Sequence, residues 1–158
     1  MNFIYDIVNL EFVAIVSFLA IAYYLRSEPL KVFLLFGHIL VIFLLNDVLF
    51  PVTYMPDQLR YLEASKDLRS FSYPADGLVS TVGLTSLIFS ISPFPFINSV
   101  QSIAMINFLL YLVTYAFLKR KRIATGSADY FFLLYPSLLL YSSVALREVI
   151  VLLLMLVV

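Results

Sequence analysis

The sequence predicts an all-α, polytopic membrane protein of about four spans, with a short re-entrant or interfacial segment and the start of a further helix. Three observations carry this reading. Hydrophobic residues make up 63% of the chain and charged residues 13%, against roughly 45–50% and 25% in an ordinary soluble domain. Several runs approach the roughly 20 apolar residues that a spanning helix requires. The alternating, turn-punctuated segments of an outer-membrane barrel are missing. Residues 1–158 read as one transmembrane domain, with 51–77 as an outer loop carrying a surface helix.

Composition also excludes functions. The formal net charge is zero, so nothing in the overall charge draws the chain to nucleic acid. There is no cysteine and a single histidine, which removes disulfides and thiolate metal sites and argues against a His-rich one. Carboxylate metal sites stay open, but no cofactor or metal is expected.

The first span covers residues 7–25, with Asp6 before it, Glu11 near its start and Arg26 after it. A signal peptide carries its positive charge ahead of the apolar run, and basic residues prefer the cytoplasm. The N-terminus is therefore expected outside, and Arg26 to Lys31 forms an inner turn with Pro29 suited to the next helix start. Residues 32–50 return outward. His38, near the middle of that span, reads as a packed or hydrogen-bonded interior group, while Asn46 and Asp47 approach the outer rim.

From residue 51 to 77 hydropathy falls. Pro56 and Asp57 offer a helix start, Glu63 and Lys66 are spaced to pair, and Leu59, Leu62 and Leu68 are placed to rest on a membrane. Residues 78–92 are apolar but too short to cross comfortably. Residues 97–118 form a convincing span that ends in Lys119-Arg-Lys-Arg122, the strongest positive-inside signal in the chain. That cluster lies inside if residues 78–92 return to the outer face, so a re-entrant or interfacial segment is preferred there.

Residues 130–146 then read as an outward span containing Pro136, which removes one backbone hydrogen bond and kinks the helix. Ser137, Ser142 and Ser143 are expected to satisfy the released carbonyls. Arg147 and Glu148 arrive at the outer surface between two apolar runs. Adjacent helical residues point about 100° apart, so the two cannot simply neutralise each other. The last ten residues are about half a span, and the chain reads as the N-terminal part of something longer.

On this topology the outer face collects Asp47, Asp57, Arg60, Glu63, Asp67, Asp76, Arg147 and Glu148. A carboxylate can take a proton from a sugar hydroxyl, and a guanidinium fork can grip a diphosphate. No glycine-rich phosphate loop or Ser-His-Asp order is present. A transporter or flippase built around a broken helix, and a non-catalytic membrane scaffold, are the alternatives.

Asp57-Gln-Leu-Arg-Tyr61 in the outer loop, with Pro136-Ser137, Ser142-Ser143 and Leu146-Arg147-Glu148, resembles the EpsG-like and O-antigen-polymerase-like envelope polysaccharide polymerases, which are similar in architecture to C-type glycosyltransferases. The resemblance implies a multi-pass protein of the cell inner membrane that joins sugars from a lipid-diphosphate carrier on the outer face. Asp57 would be the catalytic acid/base, and Arg147, Arg60, Tyr61 and Glu148 would bind substrate. Its partners would be the lipid-linked sugar, membrane lipid and envelope polysaccharide assembly proteins.

Overall fold

The computed structural model describes residues 3–22, 28–51 and 54–157, excepting the side chains of 3, 47 and 157. All regular structure among them is helical: α1 (Phe3–Ala20), α2 (Pro29–Phe43) with a π-helical turn (Leu44–Leu49), α3 (Pro56–Arg69), a short 3₁₀ turn (Ala75–Val79), α4 (Thr81–Ile91), α5 (Val100–Arg120), α6 (Ser127–Leu134), α7 (Pro136–Ser143) and α8 (Glu148–Val157). The expected turn at Arg26 and the side chain of Asp47 lie outside the described residues.

The long central helix is α5, buried at thirteen positions from Val100 to Leu118. Ser99 caps its start by accepting the Ser102 N–H. It stops without glycine: the N–H groups of Arg122 and Ile123 bond back to the carbonyls of Lys119 and Leu118, a Schellman closure with Arg122 at φ 58°. Next to it, α1 starts at the same end. Asn9 donates to the Phe96 carbonyl (2.9 Å) and to Ser102 Oγ (3.0 Å), and Asp6 accepts from Ser99 and Ser102. Further along, Val16 and Ala20 line one cleft with Leu112 and Ala116, so α1 and α5 run the same way.

The opposite direction is taken by α2. Lys31 sits near Lys119 at the far end of α5, joined to it through Asp129. His38 stacks on Tyr111 at 5.0 Å, and Asn46 reaches Ser143. Among the described residues two helical stretches, not the four expected, are long and apolar enough to cross a membrane: Pro29–Asn46 with mean hydropathy 2.0 and Val100–Arg120 with 1.6. A third exists only if α7 and α8 are taken together.

The expected span at 130–146 is not one helix. Tyr135 takes an extended backbone (φ −63°, ψ 117°) between α6 and α7, because the residue before a proline is pushed out of the helical region. The carbonyls freed at this break are not met by the serines anticipated for them. Tyr111 OH donates to Phe132 O (3.3 Å) and His38 Nε2 to Leu133 O (2.9 Å), while Ser137 is exposed. Since a carbonyl can only accept, His38 carries its proton on Nε2, and Nδ1 faces Ser142 Oγ at 3.2 Å. This is the packed interior role expected of His38. Its neighbour α7 lasts eight residues, and α8 then departs at 114°.

The outer-loop helix also differs from expectation. Gln58, Tyr61, Leu62, Ala64 and Ser65 are buried against the rest of the protein, so α3 is held by protein packing as well as by any membrane surface. Lys66 does not pair with Glu63; its ammonium turns to the Asn98 carbonyl (3.3 Å), and the ion pair on α3 is Arg60–Asp57. Arg69 donates to the carbonyls of Ser90, Phe94 and Ser92 at 3.1, 3.0 and 2.9 Å, which locks the C-terminal ends of α3 and α4 together. At eleven residues, α4 is about 16 Å long and cannot cross a bilayer core alone. Its start is tight: a Cβ on Gly83 would lie 2.3 Å from the Gly77 carbonyl oxygen.

At the basic end the chain is tied by Asp129, in the first turn of α6. Gly126, at φ +58°, turns the chain into α6 in a conformation that favours glycine. Asp129 is then fully buried. Its Oδ2 accepts from Lys119 Nζ (2.7 Å) and Lys31 Nζ (3.0 Å), and its Oδ1 from Tyr115 OH (3.2 Å). Burial alone would raise the Asp129 pKa, but the two ammonium groups outweigh it and hold the carboxyl below its ordinary value.

Candidate functional site

The site grows out of the second break, residues 144–147, between α7 and α8. In an apolar interior every backbone group released by such a break needs a partner. Three buried amide side chains from three helices supply them. Asn107 of α5 donates both Nδ2 protons, to Tyr141 O (2.7 Å) and Val144 O (2.8 Å). Asn46, at the end of α2, donates to Ser143 O (2.9 Å). Gln58 of α3 accepts the Ala145 N–H on its Oε1 (2.8 Å). The break is therefore a built feature, since each amide is placed on a different helix to serve it.

Beyond the break, Arg147 and Glu148 line one end of a cleft of about 450 Å³ between α4 and α8, with Thr81, Leu84, Thr85, Ile88, Ile150, Val151 and Leu154 along its walls. Arg147 is exposed, and among the described residues its side chain makes no hydrogen bond or ion pair. Glu148 does not pair with it either, and Glu148 Oε2 is shielded from solvent without a hydrogen-bond partner. An uncompensated guanidinium and an unsatisfied carboxylate oxygen thus stand together where an apolar cleft opens. The first residues of α8 add their unpaired N–H groups to the positive field there.

The other sequence-predicted residues lie on α3. Tyr61 is buried, packed edge-on against Phe89 at 6.1 Å, and its carbonyl accepts from Ser86 Oγ. Burial pushes the Tyr61 phenol above its ordinary pKa; Arg147 opposes this, and Asp57 and Glu148 reinforce it. The charges of all three are therefore felt at one hydroxyl. Asp57 and Arg60 sit on the outer side of α3 as an exposed pair at 3.3 Å, a contact worth at most about 1 kcal/mol and readily exchanged for a ligand. The structure thus brings Asp57, Arg147 and Glu148 within electrostatic reach of the Tyr61 hydroxyl and leaves Arg60 turned toward Asp57.

Sequence reading missed Gln58, Asn46 and Asn107 as the groups that build this site. Asn107 had a usable signal, because a lone amide inside a long apolar run is costly unless it has a fixed partner. Gln58 had none beyond its place between Asp57 and Tyr61. Among the described residues no cluster of three metal-ligating side chains occurs. Comparison with protein-family models, curated proteins and solved structures gave no match.

Proposed function

We propose that the chain is a membrane glycosyltransferase or polysaccharide polymerase that takes sugars from a lipid-diphosphate carrier at the outer face of the inner membrane. The observation that carries this reading is the α4–α8 cleft: apolar along its walls, with the unpaired Arg147 guanidinium at one end. A cation beside an apolar trough is complementary to an amphiphile with an anionic head. The orientation follows from the basic end of the bundle, Lys31 and Lys119–Arg122, being placed in the cytoplasm. The cleft and α3 then lie toward the outside.

In this reaction the acceptor hydroxyl attacks the anomeric carbon of the carrier-linked sugar. The bond from that carbon to the diphosphate oxygen breaks, and the acceptor proton passes to Asp57. Arg147 holds the departing diphosphate in its planar fork, helped by the N-terminus of α8. Glu148, which lines the cleft beside Arg147, accepts a hydroxyl of the bound sugar. Tyr61 and Arg60 shape the Asp57 side of the site, and envelope polysaccharide assembly proteins would receive the product.

A transporter or flippase is favoured by a different observation, the doubly interrupted path α6–α7–α8, since discontinuous helices form midplane sites in secondary transporters. Against it, the donors that these helices would offer to cargo are already used: the N–H groups of His38, Asn46 and Asn107 all go to protein carbonyls.

Asp57→Asn separates the two. In the full-length protein this exposed substitution should leave insertion and abundance unchanged, within about 0.5 kcal/mol of stability, while polymer formed from a lipid-diphosphate sugar falls by at least about a hundred-fold. Polymer at the parent level would remove Asp57 from the chemistry.

A further inference from the structure

We propose that Gln58 is a positioning residue of this site, a strut that sets the separation of Asp57 from Arg147; the inference rests on the proposed sugar transfer for its catalytic meaning, but not for its geometry. Gln58 is buried, and its Oε1 accepts the N–H of fully buried Ala145 at 2.8 Å. The other two amides at the break grip carbonyls on the α7 side, Tyr141, Ser143 and Val144. Gln58 alone of the three comes from α3, and it takes the N–H that leads into α8.

The shortest connection between the two charged groups therefore runs through this one bond. Asp57 precedes Gln58, and Arg147 follows Ala145 by two residues. On the same helix Ser65 and Tyr61 fasten α3 to Ser86 of α4, and Arg69 fastens its end to the 90–94 carbonyls. The α3–α4 unit is thus internally fixed; α5 packs against α3, α4 and α8, and Gln58 adds the direct hydrogen bond from α3 to the segment that leads into α8. If Gln58 were only a cap, its loss would lower stability while leaving the two bodies in place.

The test uses the full chain, free of native cysteine across residues 1–158, in lipid nanodiscs. Spin labels at the exposed positions Glu63→Cys on α3 and Met155→Cys on α8 report the α3–α8 separation by pulsed electron resonance. Gln58→Met keeps the length of the side chain and removes the acceptor; Gln58→Glu keeps an acceptor at the same place. The expected result is a shifted or broadened distance distribution for Gln58→Met, with Gln58→Glu returning to the parent distribution. Turnover of lipid-diphosphate sugar should fall roughly ten- to a hundred-fold in Gln58→Met and recover in Gln58→Glu. If Gln58→Met does not accumulate, Gln58→Asn, which withdraws the acceptor by one methylene, is read in the same way. An unchanged distance distribution in the acceptor-less variant overturns the strut. A shifted distribution with no transfer activity even in the parent keeps the strut and overturns the enzymatic reading instead.

Discussion

Asn107→Leu should destabilise the protein by about 1–3 kcal/mol, measured by denaturant unfolding in detergent micelles and followed by circular dichroism. Leucine matches asparagine in size and suits a buried helix face, so packing is nearly preserved. What is lost is the pair of donors on Nδ2, which strips the Tyr141 carbonyl of its side-chain partner and leaves the Val144 carbonyl with the Leu146 N–H alone. Taking a partner from a buried polar group costs roughly 1–3 kcal/mol. A hydrophobic substitution inside an apolar helix would ordinarily be neutral or stabilising. A loss below about 1 kcal/mol would mean that the α7–α8 break finds other partners and is not held by the amides.

Asp129→Ala should cost about 3 kcal/mol, the lower end of the range for removing one partner from a buried ion pair, because it takes away the buried carboxylate shared by Lys31 and Lys119 and leaves Lys31 with Glu28 alone. Lys119, more exposed, loses less. The pH dependence has a defined sign. The folded-state pKa of Asp129 is depressed from 3.8, so its stabilisation is fully present above the unfolded value and is lost as pH falls through the lower folded value. Unfolding free energy should therefore be insensitive to this group from neutral pH down to about 5 and fall below about 4. Asp129→Ala should lack that acid limb while being less stable at neutral pH.

Much of the fold was legible because its causes are local. The apolar runs at 32–50 and 97–118 are long enough to be read as they stand, and α2 and α5 follow them closely. The alternation in direction of α1, α2 and α5 followed from short connections and the Lys119–Arg122 cluster. The region after residue 126 was misread for a physical reason. Pro136 announces a break, but whether a helix kinks or stops depends on donors elsewhere, here Tyr111 and His38, which lie 21 and 95 residues away in sequence from the carbonyls they meet. The second break carries no proline or glycine at all; Val144 to Arg147 is held open by amides from α2, α3 and α5. Such long-range partners leave no local pattern. For the same reason Arg147 and Glu148 were visible as misplaced charges, whereas Gln58 was not visible as their support.

The central claim, that Arg147 holds a lipid diphosphate at the start of α8, is tested most directly by binding. Full-length protein in nanodiscs is titrated with a short-chain prenyl diphosphate, with the matching prenyl alcohol as control, for the parent, Arg147→Lys and Glu148→Gln. The parent should bind the diphosphate and not the alcohol. Arg147→Lys keeps the charge but loses the two parallel donors, so it should insert normally and bind roughly ten-fold or more weakly, an expected loss of about 1.4 kcal/mol or more. Glu148→Gln should do less harm. Equal affinity of Arg147→Lys and the parent, or equal binding of the alcohol, would contradict the claim and leave Arg147 as a charge that fixes the membrane edge of α8.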